Sequence, residues 1–204
     1  MSPVETIMRT APVIPVLVIE DAVHARAIAE ALVAGGLPVL EVTLRTAAAL
    51  DAIAEMKRVP GAIVGAGTVV DVAGLDSAIA AGAEFIVSPG LTDTLGKAAI
   101  SKDIPFLPGV ASAGDIMRGL DLGLTHFNFV PAEANGGRPA LTSLIGPFGQ
   151  CKFCPTGGIK QDMAADWLAV PEILCVGGSW LVGKGGPDVA AIESAARAAS
   201  ALRN

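Results

Sequence analysis

The sequence predicts an α/β protein, a (β/α)8 TIM barrel built as a single domain over residues 1–204. Three observations carry this. Eight short β-rich runs recur along the chain, starting about every 21 to 26 residues. Alanine-rich segments with helical spacing lie between them, and glycine or proline closes several runs. Strands alternating with helices of this length imply right-handed crossovers and a parallel sheet. Eight such units suit a closed barrel better than an open flavodoxin-like sheet, which needs only about five strands.

The runs, in order, are Val13–Ile19, Val39–Leu44, Ile63–Gly67, Glu84–Ser88, Pro105–Pro108, His126–Val130, Lys152–Thr156 and Ile173–Gly177. Each is short and rich in Val, Ile or Phe, as buried strands require. The clearest helical segments are Ala22–Ala34, Ala47–Lys57, Val70–Ala81 and Ala113–Leu122. No linker or low-complexity stretch interrupts the alternation.

Composition narrows the function. Half of the chain is apolar (52%) and only 17% is charged, which excludes a disordered chain or a charged coiled coil. A net charge of −6 argues against nucleic-acid binding, which needs a basic stripe. No apolar run reaches the roughly 18 residues that span a bilayer. The first residues lack a basic region followed by an apolar one, so a cytoplasmic protein without membrane attachment is expected. The three cysteines fit a reducing compartment. Cys151 and Cys154 have C-x2-C spacing, but residues three apart on a strand face opposite sides, so buried structural thiols are expected.

In a barrel of this kind the active site lies where the strands end. On the second run, Glu41, Thr43 and Arg45 share one face, and Leu40, Val42 and Leu44 share the other. Helices cover the outside, so the polar face should point inward. An inward Glu and Arg are costly unless paired or used. They read either as a structural ion pair or as a proton-transfer carboxylate beside a carboxylate-binding guanidinium. Thr68 and Thr156 end the third and seventh runs and can bring hydroxyls to the same mouth, though each is also an ordinary turn residue. His126 faces inward lower down, where a hydrogen-bonded core role is expected. Trp167 and Trp180 are expected in packing or at an interface.

Gly157 and Gly158 follow the seventh run, and Gly177, Gly178 and Ser179 close the eighth. Loops at these two positions often hold a phosphate through backbone N–H groups. Tight turns alone are the plainer reading. The functional reading implies a substrate with a phosphate at one end and a carboxylate near Arg45.

The chain resembles the 2-keto-3-deoxy-6-phosphogluconate (KDPG) and 4-hydroxy-2-oxoglutarate aldolases. The resemblance rests on ALVAGGLPVLEVTLRT (31–46), IVGAGTV (63–69), FIVSPGLT (85–92), PAEANGG (131–137), FCPTGGI (153–159) and ILCVGGSWLV (173–182). It implies a homotrimer of barrels that needs no metal or other cofactor. It also implies cleavage of KDPG to pyruvate and glyceraldehyde 3-phosphate in the Entner–Doudoroff pathway. The family's strand-six lysine forms a Schiff base with the keto carbon, and the imine takes up the electrons of the breaking C3–C4 bond. The resemblance assigns proton transfer to Glu41 and the pyruvate carboxylate to Arg45 and Thr68. Thr156 then lines the site, and Gly157, Gly158, Gly178 and Ser179 hold the phosphate.

One position departs from the pattern. Where the family reads Phe-Lys-Phe-Phe-Pro, this chain reads Phe127-Asn128-Phe129-Val130-Pro131. A carboxamide nitrogen forms no imine, so the standard mechanism is expected to be impaired. The alternatives are a catalytically dead or engineered variant that binds sugar-acid phosphates or scaffolds an assembly, and relocation of the amine to Lys160. Lys160 also reads as a solvated surface lysine. Metal-assisted aldol chemistry is disfavoured, because no His/Asp/Glu cluster stands at the strand ends beyond Glu41.

Overall fold

The computed structural model describes residues 1–183 and 186–202. A first helix, α1 (Pro3–Thr10), precedes strand β1 (Val13–Leu17). There follow α2 (Ala25–Ala34), β2 (Val39–Thr43), α3 (Ala49–Met56), β3 (Ile63–Gly67), α4 (Val72–Ala80), β4 (Ile86–Val87) and α5 (Asp93–Ser101). The next segment forms two short strands, β5 (Phe106–Leu107) and β6 (Gly109–Val110). The chain ends with α6 (Ala113–Asp121), β7 (His126–Phe129), α7 (Gly137–Ile145), β8 (Lys152–Pro155), α8 (Gln161–Leu168), β9 (Val176–Gly178) and α9 (Val189–Ser200).

All the strand pairings are parallel, as the βα alternation predicts. They fall into a six-stranded sheet, β5-β4-β3-β2-β1-β9, and a three-stranded sheet, β6-β7-β8. The split comes at Pro108, which has no N–H to give to a ladder. On one side of it β5 pairs with β4, and on the other β6 pairs with β7. Between β8 and β9 the contact is reduced to two isolated parallel bridges, Phe153–Ile173 and Thr156–Gly177. The fifth expected run, Pro105–Pro108, thus holds only β5, with β6 lying just past its end, and the eighth begins later than its apolar run suggests.

Several helix starts follow from local chemistry. Ser2, Asp71, Thr92 and Asp188 cap α1, α4, α5 and α9 with side-chain oxygens that accept backbone N–H groups. Ser112 and Asp115 form a reciprocal capping box on α6. Each cap is worth about 1 kcal/mol.

Two apolar clusters separate the outside of the strands from the inside. Leu40, Val42, Val64, Ala66, Phe127 and Phe153 belong to the large cluster under the helices. Ile14, Val39, Phe85, Val87, Leu107 and Cys154 form a smaller inner cluster. The alternation on β2 is therefore as parity requires, with Leu40 and Val42 outside and Val39 inside. Cys151 packs with the outer cluster and Cys154 with the inner one, so the two thiols do not share a face.

Helix α1, absent from the sequence reading, seals the N-terminal end of this interior. Met8 is fully buried in the inner cluster, and Val4 and Ile7 pack against it, a helical i, i+3, i+4 stripe. His126 lies at this sealed end, in register with Lys152 at the start of β8. Its Nε2 is 3.6 Å from Glu5 Oε2 of α1, and its Nδ1 is 3.1 Å from Thr125 Oγ1. Burial holds the imidazole below its ordinary pKa, opposed by the Glu5 carboxylate. The end of the interior opposite α1 is where polar groups gather.

Candidate active site at the strand C-termini

Glu41 occupies the middle of β2, flanked by Val16 of β1 and Gly65 of β3 in register. It is 7% exposed, and among the described residues no ion pair reaches it. Burial without a compensating charge pushes its carboxyl up to about 7. A carboxyl in this range holds or releases a proton at neutral pH, as a general acid or base must.

The neighbouring strand makes room for this side chain. A Cβ on Gly67 would collide with Oε1, Cδ and Cγ of Glu41. Glycine is needed at 67 because the Glu41 chain lies against its backbone. Gly67→Ala is expected to cost about 1–3 kcal/mol through overpacking. It should also return the Glu41 titration toward ordinary carboxylate values as the side chain is displaced to solvent. Urea unfolding and NMR titration of the carboxyl would check both effects. An alanine variant of unchanged stability and titration would refute this contact.

Thr43, one pleat further on, is buried and donates from Oγ1 to Leu17 O at 2.9 Å, binding β2 to β1. The chain then leaves the strand, and Arg45 sits exposed in the following turn. The structural ion pair between Glu41 and Arg45 is not formed. The strand ends at Thr43, so parity no longer holds Arg45 inward and its guanidinium stays in water.

Thr68 follows β3 with a left-handed backbone, φ +59°, uncommon for a non-glycine residue. Such strain costs about 1–3 kcal/mol and collects at functional sites. Thr156 follows β8, half-buried, with its N–H on Phe129 O at 2.9 Å and its Oγ1 3.8 Å from Cys154 Sγ. Its side chain covers the α-carbon of Gly177, which allows no Cβ.

Gly157 and Gly158 both take positive φ, +105° and +80°. Their loop is tied to the segment after β7 by Ala132 N–H to Thr156 O (2.8 Å) and Glu133 N–H to Gly157 O (3.0 Å). A Cβ on Gly158 would press on Glu133, whose carboxylate accepts from Trp167 Nε1 at 3.2 Å. Glu133 thus braces the glycine loop against α8, a role the residue type alone did not announce. Gly178 lies under the Trp180 ring, and Ser179 beside it is exposed.

Asn128 stands in the middle of β7, between Gly109 of β6 and Cys154 of β8 in register. Because Cys154 belongs to the inner cluster, Asn128 faces inward too. It is 3% exposed, and its Oδ1 is buried without a hydrogen-bond partner among the described residues. Lys160 is exposed at the N-terminus of α8. Lys57, Lys97 and Lys102 are surface lysines ion-paired to Glu84, Asp93 and Asp76, and Lys184 lies outside the described residues. Lys152 starts β8 at the end sealed by α1, away from the mouth. Among the described residues no group of three or more His, Cys, Asp or Glu could hold a metal ion.

The profile of the KDPG and KHG aldolases matches this chain over residues 4–195, nearly its whole length. The chain belongs to that family. By family it is an enzyme, a carbon–carbon lyase. It is similar to the 2-dehydro-3-deoxy-phosphogluconate aldolase of Zymomonas mobilis, with 60% identity over 203 residues covering 100% of this chain and 98% of the relative. A crystal structure of the Zymomonas mobilis 2-keto-3-deoxy-6-phosphogluconate aldolase with 3-phosphoglycerate superposes with a TM-score of 0.98, at 59% identity over 99% of this chain and 97% of that one. The KDPG aldolase of Legionella pneumophila, with pyruvate captured as a covalent carbinolamine, superposes with a TM-score of 0.94 at 42% identity, over 98% of each chain. No described helix of this aldolase-family chain is long and apolar enough to cross a membrane.

Proposed function

We propose that this chain is a KDPG-type aldolase in which the Schiff-base amine is missing, so that it binds a phosphorylated sugar acid but cleaves it very slowly. The observation that carries this is Asn128, a carboxamide buried on the inner face of β7 where the family resemblance calls for a lysine. The carbinolamine of the Legionella relative is a keto carbon joined to an amine. Asn128 has no nucleophilic nitrogen to form one.

The remaining parts keep their order. The phosphate lies on the N–H groups of Gly157, Gly158, Gly178 and Ser179, a reading supported by the positive φ of the first two, a backbone conformation that glycine adopts freely. Arg45 and Thr68 take the carboxylate, Thr156 lines the wall, and Glu41 moves the proton. The crystal structure of the Zymomonas relative is one with 3-phosphoglycerate, an acid with a phosphate at its far end, which supports a ligand of this chemical class.

The site belongs to one domain, residues 1–204, with its two sheets joined into a closed eight-stranded barrel. The run through Pro108 and the bridges from β8 to β9 support closure. The working unit is a cytoplasmic homotrimer without metal or other cofactor. The exposed apolar side chains Val18, Val70 and Met117 offer surface for partner copies.

Reduction with borohydride in the presence of pyruvate, followed by mass mapping, tests the reading. No adduct is expected on the chain as it stands, while calorimetry with KDPG shows binding. An adduct on Lys160 would replace this reading with a relocated amine. A divalent-metal requirement for cleavage would replace it with metal-assisted chemistry.

A further inference from the structure

The glycine loop after β8 has no side chains of its own to hold its shape. Gly157 and Gly158 both take positive φ, and glycine loses more freedom than any other residue when a loop is ordered. Glu133, in the segment after β7, meets this loop at two points and α8 at a third. Its N–H donates to Gly157 O at 3.0 Å. Its Cβ and Cγ lie so close to Gly158 that a Cβ there would meet them at 2.7 and 2.9 Å. Its Oε1 accepts from Trp167 Nε1 at 3.2 Å. Trp167 is 2% exposed in the large outer cluster, so packing fixes the ring that holds the carboxylate. The frame around this strut is closed as well. Asn135 N–H donates to Pro131 O and Gly137 N–H to Ala132 O, both at 3.0 Å, and Arg138 Nη1 of α7 donates to Asp166 O of α8 at 2.9 Å.

We propose that Glu133 is a positioning residue for phosphate recognition. Tied to Trp167, it holds the backbone of Gly157 and Gly158 in its anion-binding shape before the ligand arrives. The inference rests on the phosphate subsite proposed above and adds the device that sets it in advance. Glu133 acts through the loop, and no bond is made or broken. A loop already in its bound conformation avoids the cost of ordering on binding, so release of the strut is expected to weaken a phosphate-bearing ligand by about tenfold.

Calorimetry on the intact chain with 3-phosphoglycerate tests this, with glycerate as the counterpart that lacks the phosphate. The unchanged chain is expected to prefer 3-phosphoglycerate by about tenfold or more. Glu133→Ala and Trp167→Phe each break the strut and are expected to bind 3-phosphoglycerate about tenfold more weakly. The double variant should lose about tenfold as well, rather than about 100-fold, because the two residues act as one unit. Glu133→Gln keeps an acceptor oxygen for Trp167 and is expected to bind no more than about threefold more weakly than the unchanged chain. That rescue separates the hydrogen-bonded strut from the mere presence of a charge at 133. Trp167→Phe carries the test if Glu133→Ala fails to fold. Full affinity in the folded Ala and Phe variants, or a loss in Glu133→Gln as large as in Glu133→Ala, would overturn this inference and leave the phosphate subsite standing. Equal binding of 3-phosphoglycerate and glycerate by the unchanged chain, or binding of neither, would overturn both readings.

Discussion

Asn128→Lys is expected to raise KDPG cleavage by roughly four orders of magnitude or more, the scale on which loss of a covalent nucleophile acts. The argument is local. Position 128 is 3% exposed and lies on the interior face with Glu41. A lysine placed there loses hydration, which lowers its pKa and makes the neutral amine available near pH 7. Once the imine forms and is protonated, it takes the electron pair of the C3–C4 bond. The pair becomes the enamine, and the aldehyde leaves. Glu41, with its carboxyl at about 7, can take and return the proton that this sequence moves. Val130, where the family has a phenylalanine, leaves the wall smaller, so Asn128→Lys with Val130→Phe is the companion variant. Mass mapping should find the borohydride-reduced pyruvate adduct on residue 128, and a coupled assay should find pyruvate released. Folded single and double variants with neither adduct nor cleavage would refute the account of the site.

The second large effect concerns Glu41. Its pKa is raised on folding from 4.5 to about 7, so between those values the folded chain binds more protons than the unfolded one. Stability from this group is therefore full below pH 4.5, falls as pH rises, and is lost by about pH 7 and above. The loss amounts to about 3 kcal/mol at the usual energy per pKa unit. Glu41→Gln keeps the shape without the charge. It should match the unchanged chain near pH 4.5 and exceed its stability by about 3 kcal/mol at pH 8. Urea unfolding at the two pH values checks this, and an equal difference at both would refute it. In the Asn128→Lys background the same change should lower cleavage about 100-fold or more, because the proton carrier is gone. Stability gained together with activity lost is the signature of a buried group kept for chemistry rather than for folding.

The placement of the candidate side chains on β2 was legible in the residues because strand geometry has a period of two. Glu41 and Thr43 fall on one face of β2, and once the outer face is apolar the inner one follows. Paired glycines after β8 and in β9 stood out because side-chain-free backbone has few uses other than turns and close approach. The absence of an amine on β7 was equally plain, since it needs only the identity of residue 128.

Other features depend on distant parts of the chain. Arg45 shares the parity of Glu41, yet the strand stops at Thr43 and the guanidinium ends in solvent. Helix α1 carries an amphipathic stripe of only three residues, and its place across the interior depends on the cluster of Ile14, Val39 and Leu107 that receives Met8. Glu133 became a brace only when folding set Gly158 against it and Trp167 within reach.

By itself the sequence determined the βα alternation, the inward polar face of β2, the glycine loops at the strand ends and the chemistry absent from position 128. These are local, set by backbone periodicity and side-chain type. Only the tertiary structure decided that Glu41 is buried without an ion-pair partner among the described residues, that Gly67 must be glycine to receive it, and that the Asn128 oxygen meets no donor among them. Desolvation and hydrogen-bond supply depend on everything that surrounds a group, and those surroundings are assembled from residues far apart in the chain.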